Sequence, residues 1–244
     1  MSKVSAVIFA GGTGSRMNTK TKPKQFLELH GKPIIIHTLE HFENHPEVDQ
    51  VVVVCIEGWE NYLKKLLTKF HITKVIAIVN GGETGQMSIF NGLNELMNIE
   101  NGKDDIVLIH DGVRPLINDR IISDNISLVR QKGNAITVKP VIETVIKVGD
   151  SNEIIDVVDR DSCQTAVAPQ SFLLNDIYNL HLMAQNEEKF NLTDSASLAR
   201  YYGKILYTVM GGPENIKITT PSDFYIFRAI YDLRENEQIL GYSE

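Results

Sequence analysis

Cysteine is scarce in this chain of 244 residues: it has Cys55 and Cys163 and no others. Two thiols so far apart make neither a disulfide framework nor a zinc-ligand set, so reduced cysteines and a cytoplasmic setting are expected. Cys55, inside VVVVCI, reads as a small buried hydrophobe. Long apolar runs are also missing. The N-terminal one covers about seven residues and lacks a small-residue cleavage pattern, so no secretory leader is expected. No window approaches the roughly 20 apolar residues of a membrane span. Positive charge is in deficit, with 24 Lys and Arg against 31 Asp and Glu and a net charge of −7. That balance speaks against a general nucleic-acid binder, whose affinity rests on cations facing phosphates. An acidic protein can still hold anions in a locally basic pocket. Nor does any Ser-His-Asp or Cys-His arrangement offer an activated nucleophile.

What is present is the rhythm of an α/β fold. The 43% hydrophobic content suffices for one large α/β domain or two small ones, and residues 1–244 are read as one. Short β-branched runs, apolar on both faces, occur at 4–9, 51–56, 75–79, 106–109 and 135–141, the mark of a buried parallel sheet. Amphipathic stretches at 33–43, 60–70, 86–97 and 120–131 separate them. Ile35, Leu39 and Phe42 recur at helical spacing, as do Ile89, Leu93 and Leu96. The alternation predicts a Rossmann-like, doubly wound, mostly parallel sheet. It breaks after residue 140. ETVIKVGDSNEIIDVVDR reads as two strands joined by a Gly-Asp-Ser-Asn turn, too polar on one face for the sheet interior. Residues from about 141 to 164 are therefore expected to project as a β-arm. Helical patterns resume near Asp176 and Asp194, a strand follows at 204–209, and a closing helix starts at TTPSD with Ser222 as its cap.

Ligands of open α/β sheets bind at the carboxyl ends of the strands, and four segments fall there. The first is Gly11-Gly12-Thr13-Gly14-Ser15-Arg16-Met17. It fails GxxxxGK[ST] and, with Met17 in the place of the third small residue, fails the dinucleotide fingerprint. Its successive backbone N–H groups can still cradle an anion, and Arg16 adds a planar donor fork; otherwise it is a tight turn with a surface arginine. Lys22 and Lys24, in KPKQF, either fold back onto the same phosphates or stay solvated. After the third strand, Gly81-Gly82 would let backbone approach a flat ligand and Ser88 could reach a base or ribose. The same stretch also reads as a helix start capped by Thr84. HDGVRP sets Asp111 and Arg114 past the fourth strand. Asp111 suits Mg²⁺, which takes one or two carboxylates plus substrate phosphates, or it pairs with Arg114 to organise the loop. His110 reads as structural, having no nucleophile to serve. The fourth segment, ENIKITT, carries Lys217. Elsewhere, Asp159 and Asp161 form a DxD pattern around Arg160 on the arm, and Thr193-Asp194 stand at a helix start that capping alone would explain.

In this order and through nearly the whole chain, FAGGTGSRM, KPKQF, GGETGQMSIFNGL, IHDGVRPL, VVDR, TDSASL and ENIKITTPSD resemble the cytidylyltransferases acting on 2-C-methyl-D-erythritol 4-phosphate. Those acting on ribitol 5-phosphate are near relatives. The resemblance implies that CTP and a polyol phosphate give a CDP-polyol and pyrophosphate. It implies Mg²⁺ as cofactor and a homodimer in which each arm reaches the partner's site, with no nucleic-acid or membrane partner. Ala10, Gly11, Gly12, Thr13, Gly14 and Ser15 would hold the CTP phosphates, and Gly81, Gly82, Glu83 and Ser88 would read cytosine and ribose. Arg16 and Lys24 would stabilise the transition state. Asp111 would lie near the metal, with Arg114, Thr144, Arg160, Thr193 and Lys217 around the polyol phosphate. Arg160 and Lys217 would position that phosphate for attack.

The chemistry suits these residues. A phosphate monoester is already largely ionised at pH 7, with a second pKa of about 6, so little general-base work is required. The barrier lies in neutralising charge on the attacked phosphoryl group and the departing pyrophosphate, which fixed cations and a metal do. The chain departs from the methylerythritol pattern at Gly85, where an arginine is common, and at Met87. Ala168, in VAPQSF, replaces the usual threonine of both branches, and Ile142 stands where some members have a basic residue. TDSASL leans towards methylerythritol 4-phosphate, the favoured acceptor, with ribitol 5-phosphate or another cell-wall or capsule polyol as the alternative. A sugar-nucleotide glycosyltransferase holding its metal with Asp159 and Asp161 is the competing class; release of pyrophosphate from CTP separates the two.

Overall fold

The computed structural model describes residues 2–12, 22–99, 102 and 104–240. Thr13, Gly14, Ser15 and Arg16 of the first loop lie outside the described residues. Strand β1 (Val4–Ala10) is central, with β4 (Gln50–Cys55) and β6 (Ile106–Asp111) parallel on its two sides. Two short strands, β2 (Glu28–Leu29) and β3 (Lys32–Pro33), make a separate small hairpin. At one edge, β5 (Val75–Asn80) runs parallel to β4. Towards the other lie β7 (Asn134–Pro140), β10 (Gln164–Leu173) and β11 (Thr208–Met210), completing the order β11-β7-β10-β6-β1-β4-β5.

Helices cover both faces. Side chains alternate across a strand, so Ala6 and Ile8 of β1 point one way and Val7 the other. Ala6 and Ile8 join the core of α1 (Ile34–Asn44), α2 (Glu60–Lys69) and α4 (Asp119–Lys132). Val7 joins the core of α3 (Gly85–Met97), α5 (Leu174–Asn186) and α6 (Ser195–Tyr201). The final helix, α7 (Pro221–Leu240), buries Phe227 against Leu29, Ile34, Val113 and Ile218. The doubly wound reading holds, and the five expected runs agree with strands to within two residues. The edge strand β5 is only half-buried, unlike β1, β4 and β6. No described helix is long and apolar enough to cross a membrane.

Three features depart from the expectation. The strand β10, antiparallel to both β6 and β7, falls in QTAVAPQSFL, where polar residues and Pro169 hide a strand signal. A proline is tolerated inside a sheet only at an interruption, and here the register shifts between Ala166 and Gln170. Side chains take over there: Thr137 Oγ1 donates to Pro169 O at 2.7 Å and Asn215 Nδ2 to Ala168 O at 2.7 Å. The strand expected over 204–209 shortens to β11. The cap of α7 is Thr220 rather than Ser222. The Asp223 carboxylate accepts from the Thr219 and Thr220 backbone N–H groups at 2.8 and 2.7 Å, and Asp223 N donates to Thr220 Oγ1 at 3.3 Å, a capping box around a proline at the first helical position.

The arm forms as read. Strands β8 (Val145–Val148) and β9 (Ile154–Val158) pair antiparallel in a sheet of their own, joined through Gly149–Asn152. Its base closes where Gln164 pairs with Pro140.

Candidate active site

The loops after β1 and β5 meet. A Cβ on Gly11 would lie 3.1 Å from Gly81 Cα, and one on Gly81 would lie 3.2 Å from Gly11 Cα, so backbone packs directly on backbone and any side chain would wedge the loops apart. Gly81 N donates to Cys55 O at 2.9 Å, tying its loop to β4. Ser88 Oγ accepts from Gly82 N at 3.0 Å and donates to Thr84 O at 2.9 Å, while Thr84 Oγ1 caps α3 by accepting from Met87 N at 3.1 Å. The helix-cap reading of this stretch holds. Ser88's hydroxyl shapes the loop, and Ser88, Thr84, Gly82 and Glu83 also line a cavity of about 410 Å³.

That cavity is the first lobe of a cleft. Ala10, Gly11, Gly12, Lys24 and Gln25 form its other wall. The two lysines of KPKQF separate here. Lys22 pairs with Glu28 at 3.0 Å and lies over the Tyr62 ring, whereas Lys24 faces the cleft. Gln25 was not foreseen as a site residue. It is buried, and its Nε2 donates to Ala10 O at 2.6 Å, clamping the Lys24 segment onto the end of β1. Phe26 anchors the same segment by stacking on Trp59, with centroids 5.0 Å apart. A buried amide beside an aromatic anchor gives no periodic pattern that sequence reading could detect.

At the floor, Asp111 ends β6. Its Oδ2 accepts from Arg114 Nε at 2.7 Å and its Oδ1 lies 2.6 Å from Lys217 Nζ. Burial alone would raise its pKa, but the charges of Arg114 and Lys217 win and hold the carboxyl at about 2. Arg114 is fixed further by donating from Nη1 to Asn215 O at 3.0 Å. His110, fully buried beside them, meets Arg114 O at 3.2 Å through Nε2. Burial pushes its pKa down to about 3, so the ring stays neutral and structural, as read from sequence.

A second lobe of about 250 Å³ opens on the far side of this group. It shares Phe9, Gly85, Asp111 and Lys217 with the first and adds Arg114, Gln170, Thr193, Asp194 and the apolar wall of Ile89, Ile109 and Ala166 to Ala168. Asp194 caps α6 by accepting from Ser197 N at 2.8 Å. Ala10, Gly11, Gly12, Lys24, Gly82, Glu83, Ser88, Asp111, Arg114, Thr193 and Lys217 thus share one cleft, and Gly81 backs it. Thr144 and Arg160 do not join them within the chain. Both are exposed on the arm, where Arg160 Nη1 donates to Ile142 O at 2.9 Å. The DxD pattern is no metal centre in this cleft. Asp159 Oδ1 accepts from Asp161 N at 3.2 Å, closing a short turn over Arg160–Ser162 outside both lobes.

A glycine-lined lobe and an apolar, hydroxyl-bearing lobe join across a cationic floor at the strand ends, an arrangement that suits a nucleotidyltransferase. The family described as IspD, 2-C-methyl-D-erythritol 4-phosphate cytidylyltransferase, matches residues 4–232, and the chain belongs to it. A ribitol-5-phosphate cytidylyltransferase of Streptococcus agalactiae serotype Ia is 54% identical over 96% of this chain and 98% of its own length. A 2-C-methyl-D-erythritol 4-phosphate cytidylyltransferase of Clostridium novyi is 36% identical over 95% and 98%. The crystal structure of 4-diphosphocytidyl-2C-methyl-D-erythritol synthase from Anaerococcus prevotii shares the fold with a TM-score of 0.82 at 27% identity, covering 95% of this chain and 96% of that one. The chain is thus a CTP-using nucleotidyltransferase, and the glycosyltransferase reading falls.

Proposed function

We propose that this enzyme joins CTP and ribitol 5-phosphate to give CDP-ribitol and pyrophosphate. The observation that carries the acceptor is the 54% identity, through nearly the full length, to a relative named for ribitol 5-phosphate, against 36% to one named for methylerythritol 4-phosphate. It reverses the order of acceptors read from TDSASL. In this reading the triphosphate lies against Gly11, Gly12 and Lys24, with the nucleoside against Gly82, Glu83 and Ser88. The acceptor occupies the second lobe, its phosphate drawn to Arg114 and Lys217. An oxygen of that phosphate attacks the α-phosphorus while pyrophosphate leaves in line. Lys217 borders both lobes and stands where charge gathers during transfer; Lys24, with Arg16, steadies the leaving group.

Asp111 fits Mg²⁺. It is one carboxylate, ionised at neutral pH, at the junction of the lobes, and Mg²⁺ completes its shell with phosphates and water around one or two such groups. When bound, the ion supplies neutralisation of phosphate charge. The arm supports a homodimer with exchange. Ile142, Ile154, Ile155 and Val157 are 61–71% exposed in the single chain, and a second copy covering them would bring Arg160 and Thr144 to an acceptor lobe that lacks them.

Pyrophosphate release from CTP and Mg²⁺, with ribitol 5-phosphate and methylerythritol 4-phosphate at equal concentration, tests the acceptor. The expected preference for ribitol 5-phosphate exceeds about 100-fold in kcat/KM, or about 2.7 kcal/mol. An equal or reversed preference refutes it.

A further inference from the structure

We infer that Ser195 reads a hydroxyl of the acceptor's carbon chain; the inference rests on the reaction proposed above. Ser195 opens α6 and lines the second lobe. It is 2% exposed, and its Oγ has no hydrogen-bond partner among the described residues. A buried hydroxyl left unpaired is costly, and such groups in native proteins call for an explanation.

Local structure does not supply one. The cap of α6 is Asp194, which accepts from Ser197 N at 2.8 Å. Gln170 fastens the same turn from both sides, donating to Asp194 Oδ2 at 2.8 Å and accepting from Ala196 N at 2.9 Å. The turn is therefore fixed without the Ser195 hydroxyl, while its backbone is held rigidly beside the lobe. One staggered step about χ1 re-aims Oγ without moving that backbone. Ile89, Ile109, Val167 and Ala168 line the lobe with apolar groups, so none of them competes for the hydroxyl. Arg114 and Lys217 in the same lobe suit the acceptor's phosphate. What remains for Ser195 is the uncharged part of the acceptor. A serine hydroxyl both donates and accepts, which matches an alcohol of a polyol.

The test compares wild type and Ser195→Ala in CTP-dependent pyrophosphate release on ribitol 5-phosphate and its monodeoxy analogues, with melting of the ligand-free proteins alongside. Wild type should disfavour one analogue by about two- to tenfold in kcat/KM, the worth of a net hydrogen bond. Ser195→Ala should lose that preference while its KM for CTP stays unchanged. Its ligand-free melting temperature should equal or exceed wild type, because the change removes an unpaired buried hydroxyl. If the variant keeps the wild-type preference against every analogue, or melts lower, the hydroxyl is structural and the inference fails. If wild type uses methylerythritol 4-phosphate and not ribitol 5-phosphate, the proposed acceptor is wrong, and deoxy analogues of methylerythritol 4-phosphate decide on Ser195. A wild type that uses no polyol phosphate refutes both.

Discussion

Asp111→Asn should destabilise the ligand-free enzyme by an amount that the geometry allows to be worked out. Burial favours the protonated acid, but Arg114 and Lys217 outweigh it and lower the carboxyl from 3.8 to about 2. At about 1.4 kcal/mol per unit, that difference favours the folded state by roughly 2–3 kcal/mol at neutral pH. The folded value is the lower one, so the stabilisation is complete above about pH 4 and is lost as pH falls towards about 2. The amide abolishes it at every pH. It also leaves Arg114, whose side chain is 11% exposed, without its counter-charge, and breaking a buried pair from one side costs about 3–5 kcal/mol. Lys217 is 39% exposed and recovers water, so its share is small. The expected loss is about 2–4 kcal/mol. At about 2–4 °C per kcal/mol for a chain of this size, the melting temperature falls by roughly 5–15 °C. Thermal and urea melts at pH 7 of Asp111→Asn, Arg114→Met and the double variant measure it, and the coupling energy should be about 2 kcal/mol. As pH falls through about 2 the gap between wild type and Asp111→Asn should close. A variant melting within 1 °C of wild type at pH 7, or additive single effects, would refute the reasoning.

Lys24→Ala, and likewise Arg16→Ala, should lower kcat at saturating CTP by about 100-fold or more, since one lost preorganised charge is worth about 2.7–4 kcal/mol; full turnover in either removes it from the catalytic set. Gly81→Ala places a Cβ 3.2 Å from Gly11 Cα and 3.3 Å from Ser88 Oγ, whereas a Cβ on Gly12 meets nothing within 4 Å. The first should cost about 1–3 kcal/mol by forcing the loops apart and Gly12→Ala far less; equal melting temperatures would show that the two loops do not press on each other. Ile155→Asp with Val157→Asp should shift sedimentation to the monomer and abolish turnover without lowering the melting temperature of the monomeric unit. A double variant that stays dimeric at wild-type affinity removes the arm from the subunit interface.

The parts legible in the sequence were those governed by local rules. Buried parallel strands are apolar throughout, so β1, β4 and β6 announced themselves, and Thr84 was readable as a cap because capping depends on neighbours three residues away. Pro221 at the first helical position puts the cap on the residue before it, Thr220, two residues ahead of Ser222. The strand β10 was hidden because its Ala168-Pro169 step is made tolerable by Thr137, 32 residues from Pro169, and by Asn215, 47 residues from Ala168. The same distance effect hid Gln25, whose role is defined by Ala10 O. The residue types alone did not separate Lys24 from Lys22, which only the resemblance distinguished; Glu28 and Tyr62 hold Lys22, and Lys24 lines the cleft.

The arm begins and ends on one register pair, Pro140 opposite Gln164, between two strands that are already neighbours in the sheet. Nothing in the seven-strand order depends on what lies between those two residues. The hairpin is therefore a cassette: it can lengthen, shorten or be exchanged between homologues by a single in-frame splice, with the same sheet beneath it. In the proposed dimer, subunit pairing can thus drift at a pace of its own, while the loops of Gly11 and Gly81 stay under the constraint of touching backbone.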